Sequence, residues 1–294
     1  MKILMIGKNG QLGSELHRML STQYPVIALG RDEVDLNDLN SFRETLSILP
    51  EVSLIVNAAA YTAVDRAETE ERTATNVNTF APEIMAVEAK RRGIPMIHFS
   101  TDYVFDGIDR KIPYTEKDRP NPLSVYGRSK FGGEVMVREI LEKHLIFRTS
   151  GLYGGERNFV RTMLVLAAEG KRPRVVCDQT VSPNWCREPA KNVVSVIETV
   201  LSNDSISWGT YHLTGGGETT WFDFASHVYS HVRRGYDSNP VYPVPVGTDE
   251  IGAAAVRPAY SVLSPKKAEH ALGIVLPHWE TQFRDYWREN DFAM

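Results

Sequence analysis

The run Ile3-Leu4-Met5-Ile6-Gly7-Lys8-Asn9-Gly10-Gln11-Leu12-Gly13 decides the fold. Four consecutive apolar residues read as a strand buried on both faces, and the following run to Leu20, with Leu16, Met19 and Leu20 at helical spacing, reads as an amphipathic helix. Glycines at 7, 10 and 13 let the backbone between them turn tightly and come close to a pyrophosphate at the helix N-terminus. A glycine-rich turn is the competing reading of such spacing alone. The position directly behind a buried strand is what gives the motif weight.

Outward from there the pattern repeats. Val26-Ile27-Ala28-Leu29-Gly30 is a second strand, residues 39–49 a helix, and Leu54-Ile55-Val56 a third strand. A β-α-β-α-β order implies right-handed crossovers and a parallel sheet. Arg31 follows the second strand before any acid, and an Arg there suits a 2′-phosphate, which favours NADPH while leaving NADH open. A solvated strand-end Arg is the alternative. The third strand runs into Asn57-Ala58-Ala59-Ala60-Tyr61, small residues that allow a flat ligand to approach the carboxyl edge of the sheet. Residues 73–92 form a long helix stopped by Gly93, and residues 95–99 and 145–149 complete the core strands. After Ser150 the alternation loosens. The expected fold is α/β, a Rossmann-type doubly wound parallel sheet with residues 1–150 as the dinucleotide-binding domain. Residues 151–294 form mainly a smaller, interleaved substrate-binding lobe.

The chemistry sits in Ser100-Thr101-Asp102-Tyr103-Val104-Phe105-Asp106-Gly107 and in Tyr126-Gly127-Arg128-Ser129-Lys130. A Tyr and a Lys four apart share one helix face, so the ammonium of Lys130 can lie under the phenol of Tyr126 and lower its pKa. With Thr101 as a second hydroxyl, the set reads as a site that reduces a carbonyl. The hydride then has to come from the dinucleotide.

Composition excludes several alternatives. The 33 basic and 37 acidic residues give a formal charge of −4, and no basic cluster exceeds Lys90-Arg91-Arg92 or the pair Arg233-Arg234, which argues against nucleic acid and anionic membrane as partners. No apolar run approaches the roughly 20 residues of a membrane helix, and the first strand is too short for a signal-peptide core. Cys177 and Cys186 lack metal-knuckle spacing and read as free thiols of a cytoplasmic protein.

Together these pieces make the chain similar to the dTDP-4-dehydrorhamnose reductase family of extended short-chain dehydrogenase/reductases. The resemblance rests on Gly7-x-x-Gly10-Gln11-Leu12-Gly13, the run Val56 to Asp65 with Ala67-Glu68, and the run Ser100 to Gly107. Tyr126-Gly127-x-x-Lys130, Arg148-Thr149-Ser150, Tyr211-His212 and Arg257-Pro258 also fit. It implies NAD(P)H-dependent reduction of the C4 ketone of a dTDP-4-dehydro-6-deoxy-L-hexose to dTDP-L-rhamnose. By matched position Thr101, Tyr126 and Lys130 would be catalytic. Gly7, Gly10, Gln11, Leu12, Gly13, Arg31, Asp35, Leu36, Ala58, Ala59, Ala60 and Tyr61 would line the cofactor, joined by Tyr126 and Lys130. Val64, Asp102 and Tyr103 would face the sugar.

Departures from the family pattern cluster at Gly151, at Val181-Ser182-Pro183-Asn184, at Tyr260 and at Ser264. They leave open a 6-deoxy-L-talose product, formed by reduction of the opposite face; a non-catalytic regulatory subunit is the reading from another class. Glu15 matches a position that in some members helps bind magnesium at a dimer contact, which would imply a homodimer; a Glu favoured by the helix dipole is the competing reading. His227 and His231, four apart, read as ordinary surface or interface histidines, and Trp279 with Trp287 as one packing face of a helix. Arg148 reads as a structural hydrogen-bonder.

Overall fold

The computed structural model describes residues 1–202, 205–232, 241–290 and 292; the pair Arg233-Arg234 lies outside them. The first half alternates as expected: β1 (Ile3–Ile6), α1 (Gln11–Leu20), β2 (Val26–Leu29), α2 (Leu39–Ile48), β3 (Leu54–Asn57) and the short α3 (Val64–Ala67). Next come α4 (Glu71–Thr75), α5 (Ala81–Arg92), β4 (Met96–Thr101), α6 (Val125–Ile140) and β5 (His144–Thr149). Beyond Ser150 follow β6 (Leu152–Tyr153), α7 (Phe159–Ala168), β7 (Arg174–Val176), β8 (Thr180–Val181), β9 (Asn184–Trp185) and α8 (Arg187–Leu201). The chain ends with β10 (Gly209–His212), β11 (Thr219–Thr220), α9 (Trp221–His231), β12 (Val244–Val246), α10 (Lys266–Leu272) and α11 (Trp279–Glu289).

Six strands pair in parallel in the order β10-β5-β4-β3-β1-β2. The winding direction reverses between β1 and β3, so the crevice for a ligand opens at the carboxyl ends of those two strands. Apolar side chains on both faces of the strands explain the two covering layers. Leu12, Leu16 and Leu20 of α1 pack with Val193, Ile197 and Val200 of α8 on one side. Phe42 and Leu46 of α2, Met85 and Ala89 of α5 and Val137 of α6 cover the other. The second half therefore returns to the large sheet with α8 and β10. A separate core of Tyr153, Val160, Trp185, Phe224, Trp279 and Phe283 holds α7, α9 and α11 together as a lobe.

The helix expected over 73–92 is interrupted by a wider π turn at Asn76–Phe80. Pro82 explains it: the ring has no N–H to give and crowds the carbonyl four residues back, which the wider turn relieves. The turn aims Asn78 into the protein, where its Oδ1 accepts from Tyr61 N at 2.8 Å and its Nδ2 donates to Ser129 Oγ at 3.0 Å. A break in a helix thus ties the loop after β3 to α6.

Candidate active site

The carboxyl edge at the winding switch is built from backbone. Gly7 has φ +92°, and a Cβ there would lie 2.5 Å from Ala59 N; a Cβ on Gly13 would lie 1.9 Å from Gly7 O. Both positions are closed to any side chain by the protein itself. Gly10 is different: its Cβ would meet only ordinary contacts, 3.5 Å from Gly7 O, so open space lies above it. No side chain caps α1, and Gln11 Oε1 is buried without a hydrogen-bond partner among the described residues. An uncapped helix N-terminus and clear space over Gly10 fit a dinucleotide pyrophosphate, while the Gln11 oxygen, an acceptor, suits a hydroxyl or amide donor of a ligand.

Around this edge the remaining residues of the expected cofactor set are distributed as follows. Ala58, Ala59, Ala60 and Tyr61 are partly buried beside Gly7, held by Asn57, whose Oδ1 accepts from Ala59 N at 3.0 Å. Arg31 is exposed past the end of β2. Beside it, Glu33 is already engaged, accepting from Gly30 N at 2.7 Å and from Lys8 Nζ at 2.5 Å. Asp35 lines a cavity of about 450 Å³ with Asn37, Asp38 and Arg72. The side chains of Leu12 and Leu36 are buried in the cores under α1 and α2, so they fix the segment and present no side chain to the crevice.

Thr101 at the end of β4 and Tyr126 and Lys130 on α6 come together one strand further along. Ser124 accepts from Gly127 N at 3.1 Å and caps α6, and Glu68 accepts from Val125 N at 2.8 Å, so the first turn carrying Tyr126 is held from two sides. A Cβ on Gly127 would lie 2.3 Å from Tyr103 O, which brings α6 hard against the β4 turn. Tyr126 hydrogen-bonds to Thr101, and its ring meets that of Tyr103 edge-on at 5.8 Å. Lys130 is 2% exposed and donates to Phe99 O at 2.6 Å.

The electrostatics differ from the sequence expectation. Burial pushes the Tyr126 phenol above its ordinary value, with the Thr101 hydrogen bond opposing it. Lys130 donates one of its protons to the Phe99 carbonyl, and burial lowers it to about 8, with Glu134 pulling the other way. The phenol is accordingly held firmly protonated. Beneath it, Arg148 grips Glu134 with two bonds of 2.8 and 2.7 Å in a fully buried pair, and reaches His212 Nε2 at 3.5 Å.

Of the residues expected to face a sugar, Val64 opens α3 and is partly buried, and Tyr103 is partly buried beside Arg257. Asp102 sits deeper. It is 3% exposed, and its carboxylate is taken up by protein hydroxyls: Thr101 Oγ1 at 3.0 Å, Ser150 Oγ at 3.1 Å and Ser261. Arg257 bonds Asp65 at 2.6 and 3.1 Å and fastens the segment 255–264 across this end of the molecule. Asn78 and Ser261 were not singled out from sequence, and Ser150 and Asp65 only as members of matched runs with no role given. Only Pro82, four residues after Asn78, carried a readable signal.

The other candidates resolve simply. His227 and His231 meet Phe283 edge-on, and among the described residues no group of three or more His, Cys, Asp or Glu could hold a metal ion. Glu15 accepts from Arg18 at 2.8 Å and faces Arg187 at 3.5 Å, so within this chain its charge is met by guanidinium. Trp279 is buried and Trp287 partly buried in the lobe core. Cys177 and Cys186 are both free, the latter buried.

A doubly wound parallel sheet with a glycine loop at its winding switch, and a Thr, Tyr and Lys set one strand away, defines an extended short-chain dehydrogenase/reductase. A family model described as the RmlD substrate binding domain matches residues 1–291. A dTDP-4-dehydrorhamnose reductase of Burkholderia thailandensis is 39% identical over 289 residues, 95% of each chain. The chain belongs to the dTDP-4-dehydrorhamnose reductase family. Among solved structures, the dTDP-4-dehydrorhamnose reductase of Clostridium acetobutylicum superposes with a TM-score of 0.89 at 33% identity, covering 99% of this chain and 100% of that one. That of Bacillus anthracis, in complex with NADP, gives 0.87 at 33% identity, covering 98% and 99%.

Proposed function

We propose that the protein reduces the C4 ketone of dTDP-4-dehydro-L-rhamnose to dTDP-L-rhamnose with NADPH. The observation that carries this reading is the junction of Thr101, Tyr126 and Lys130 at the carboxyl edge that also holds the open glycine loop. NADPH, when bound, supplies the hydride. Tyr126 gives its proton to the carbonyl oxygen; an alkoxide is far more basic than a phenolate, so a phenol with a raised pKa still transfers downhill. Thr101 donates to the charge developing on the same oxygen, where a site poor in water makes the bond count most. Lys130, charged at neutral pH, offsets the phenolate left behind and has further protons for a cofactor ribose hydroxyl.

Preference for NADPH over NADH is supported by the end of β2. Gly30 offers no carboxylate to a ribose diol, Glu33 has both oxygens engaged, and Arg31 and Lys8 stand beside it. The lobe formed mainly by residues 151–294, closed over the edge by the segment 255–264, is proposed to bind the sugar nucleotide. The names of the relatives described above give no support to a 6-deoxy-L-talose product or a non-catalytic subunit. The test is NADPH oxidation by purified protein with the dTDP-4-keto sugar. Turnover supports the reading, and no turnover with folded, NADPH-binding protein ends it.

A further inference from the structure

Asp102 is a buried carboxylate that the proposed reaction does not use. Its side-chain partners are all hydroxyls, drawn from three separate segments: Thr101 on β4, Ser150 after β5 and Ser261 in the segment 255–264. The titratable groups nearest it are the phenols of Tyr103 and Tyr126. The cations of the neighbourhood are committed elsewhere, Lys130 to the Phe99 carbonyl and Arg257 to Asp65 and Tyr103. The carboxylate therefore lies in a buried pocket with no cation bonded to it among the described residues.

Counting protons at Thr101 shows what this does. Its Oγ1 accepts from Tyr103 N at 3.2 Å, lies 3.0 Å from Asp102 Oδ1 and is hydrogen-bonded to the Tyr126 hydroxyl. A hydroxyl has one proton and two lone pairs. If Asp102 is ionised it can only accept, so the Thr101 proton points at Asp102 and is lost to any substrate oxygen. If Asp102 is protonated, it donates to the second lone pair of Thr101, and the Thr101 proton turns outward, to the Tyr126 oxygen in the empty site and to a substrate oxygen seated beside it.

We propose that Asp102 is a positioning residue for the reduction: protonated, it turns the Thr101 hydroxyl onto the reacting oxygen; ionised, it takes that hydroxyl for itself and idles the site. The inference rests on the reductase reading above. The proton on Asp102 stays there through turnover, and the proton added to the substrate still comes from Tyr126. Burial, against the three hydroxyls, raises the Asp102 carboxyl to about 6, within reach of working pH, and cover by a bound sugar moves it further in the same direction.

The test is kcat against pH for wild type, Asp102→Asn, Asp102→Ala and Ser261→Ala. In wild type kcat falls as pH rises through the Asp102 titration, ahead of the separate loss when Lys130 deprotonates. Asp102→Asn presents an amide N–H to Thr101 at every pH, so the lower inflection disappears. Asp102→Ala loses the positioning and drops kcat by about 10²-fold, with the Asn variant recovering most of that loss. Ser261→Ala keeps the carboxyl but removes a bond that favours its ionised form, so the inflection moves up by about half a pH unit. An Asn variant that keeps the wild-type inflection, or an inflection unmoved by Ser261→Ala, overturns the proposal. In cofactor-free protein, infrared difference spectra across the same pH range are expected to show a protonated-carboxyl band that titrates in wild type and is missing in Asp102→Asn. A missing wild-type band also overturns it. A protein that never oxidises NADPH instead fails the reductase reading, and the infrared titration still judges Asp102 alone.

Discussion

Two edges of one crevice are built on different terms. At Gly7 to Gly13 and Asn57 to Tyr61 the backbone makes the site, and the space is so tight that a Cβ at Gly7 or Gly13 would overlap main-chain atoms. At Gly151, Val181 to Pro183, Glu218 and Tyr260, side chains from distant segments join the main chain in making it. A Cβ on Gly151 would stand 3.0 Å from Ser182 O and 3.1 Å from Pro183 Cα and from Val181 Cγ2, close but without the overlap found at Gly7 and Gly13, and the Tyr260 hydroxyl donates to Glu218 at 2.6 Å. A surface of main chain tolerates almost no change, whereas a surface of side chains can be rebuilt without moving the fold. The shared chemistry sits beside the first edge and the departures from the family sit at the second.

The comparison can be broken at several points. Tyr126→Phe should lower kcat by about 10²- to 10⁴-fold while NADPH binding, followed by fluorescence, persists; a variant with full rate removes the chemistry from α6. Gly13→Ala, with its Cβ 1.9 Å from Gly7 O, should cost about 1–3 kcal/mol in urea denaturation and weaken NADPH binding as well, since the loop must shift. If stability and affinity are both unchanged, the tight edge is not tight.

Acid should act through buried imidazole. His212 donates Nδ1–H to Tyr114 O at 3.0 Å and is pushed down to about 3, by burial first and the Arg148 guanidinium second. The unfolded chain takes up this proton near pH 6.5 and the native state refuses it, so the group costs nothing above that pH. As pH falls from about 6.5 toward 3 it removes about 1.4 kcal/mol of stability per unit. The stability difference between wild type and His212→Gln should therefore shrink by about that amount between pH 6 and 5. A constant difference would show that His212 protonates in the native state. The smallest effect belongs to the variable edge: Tyr260→Phe loses one hydrogen bond to an exposed Glu218, about 0.5–1 kcal/mol. It should change KM for the sugar nucleotide a few-fold with KM for NADPH unmoved, and equal changes in both would dissolve the distinction between the two edges.

Sequence resolved the two edges unequally for the same reason. Continuous apolar runs, glycines before α1 and the Tyr126, Lys130 spacing are local signals, and they placed the sheet, the loop and the helix that carries Tyr126. The junctions made across long separations carried no local signal: Asp102 with Ser150 and Ser261, Asp65 with Arg257, and the return of β10 to the large sheet. The placement of Lys130 shows the limit of spacing as an argument. Four residues along a helix put it on the face of Tyr126, but the Phe99 carbonyl, an acceptor that no spacing rule includes, holds its ammonium.

The most direct test of the account is transfer of deuterium from NADPH labelled at nicotinamide C4 to the dTDP-4-keto sugar, with the product read by NMR. The account predicts deuterium at C4 of the sugar in the L-rhamno configuration, with transfer slowed by about 10²- to 10⁴-fold in Tyr126→Phe. Deuterium that stays on the nucleotide, or that arrives at C4 in the L-talo configuration, would contradict it.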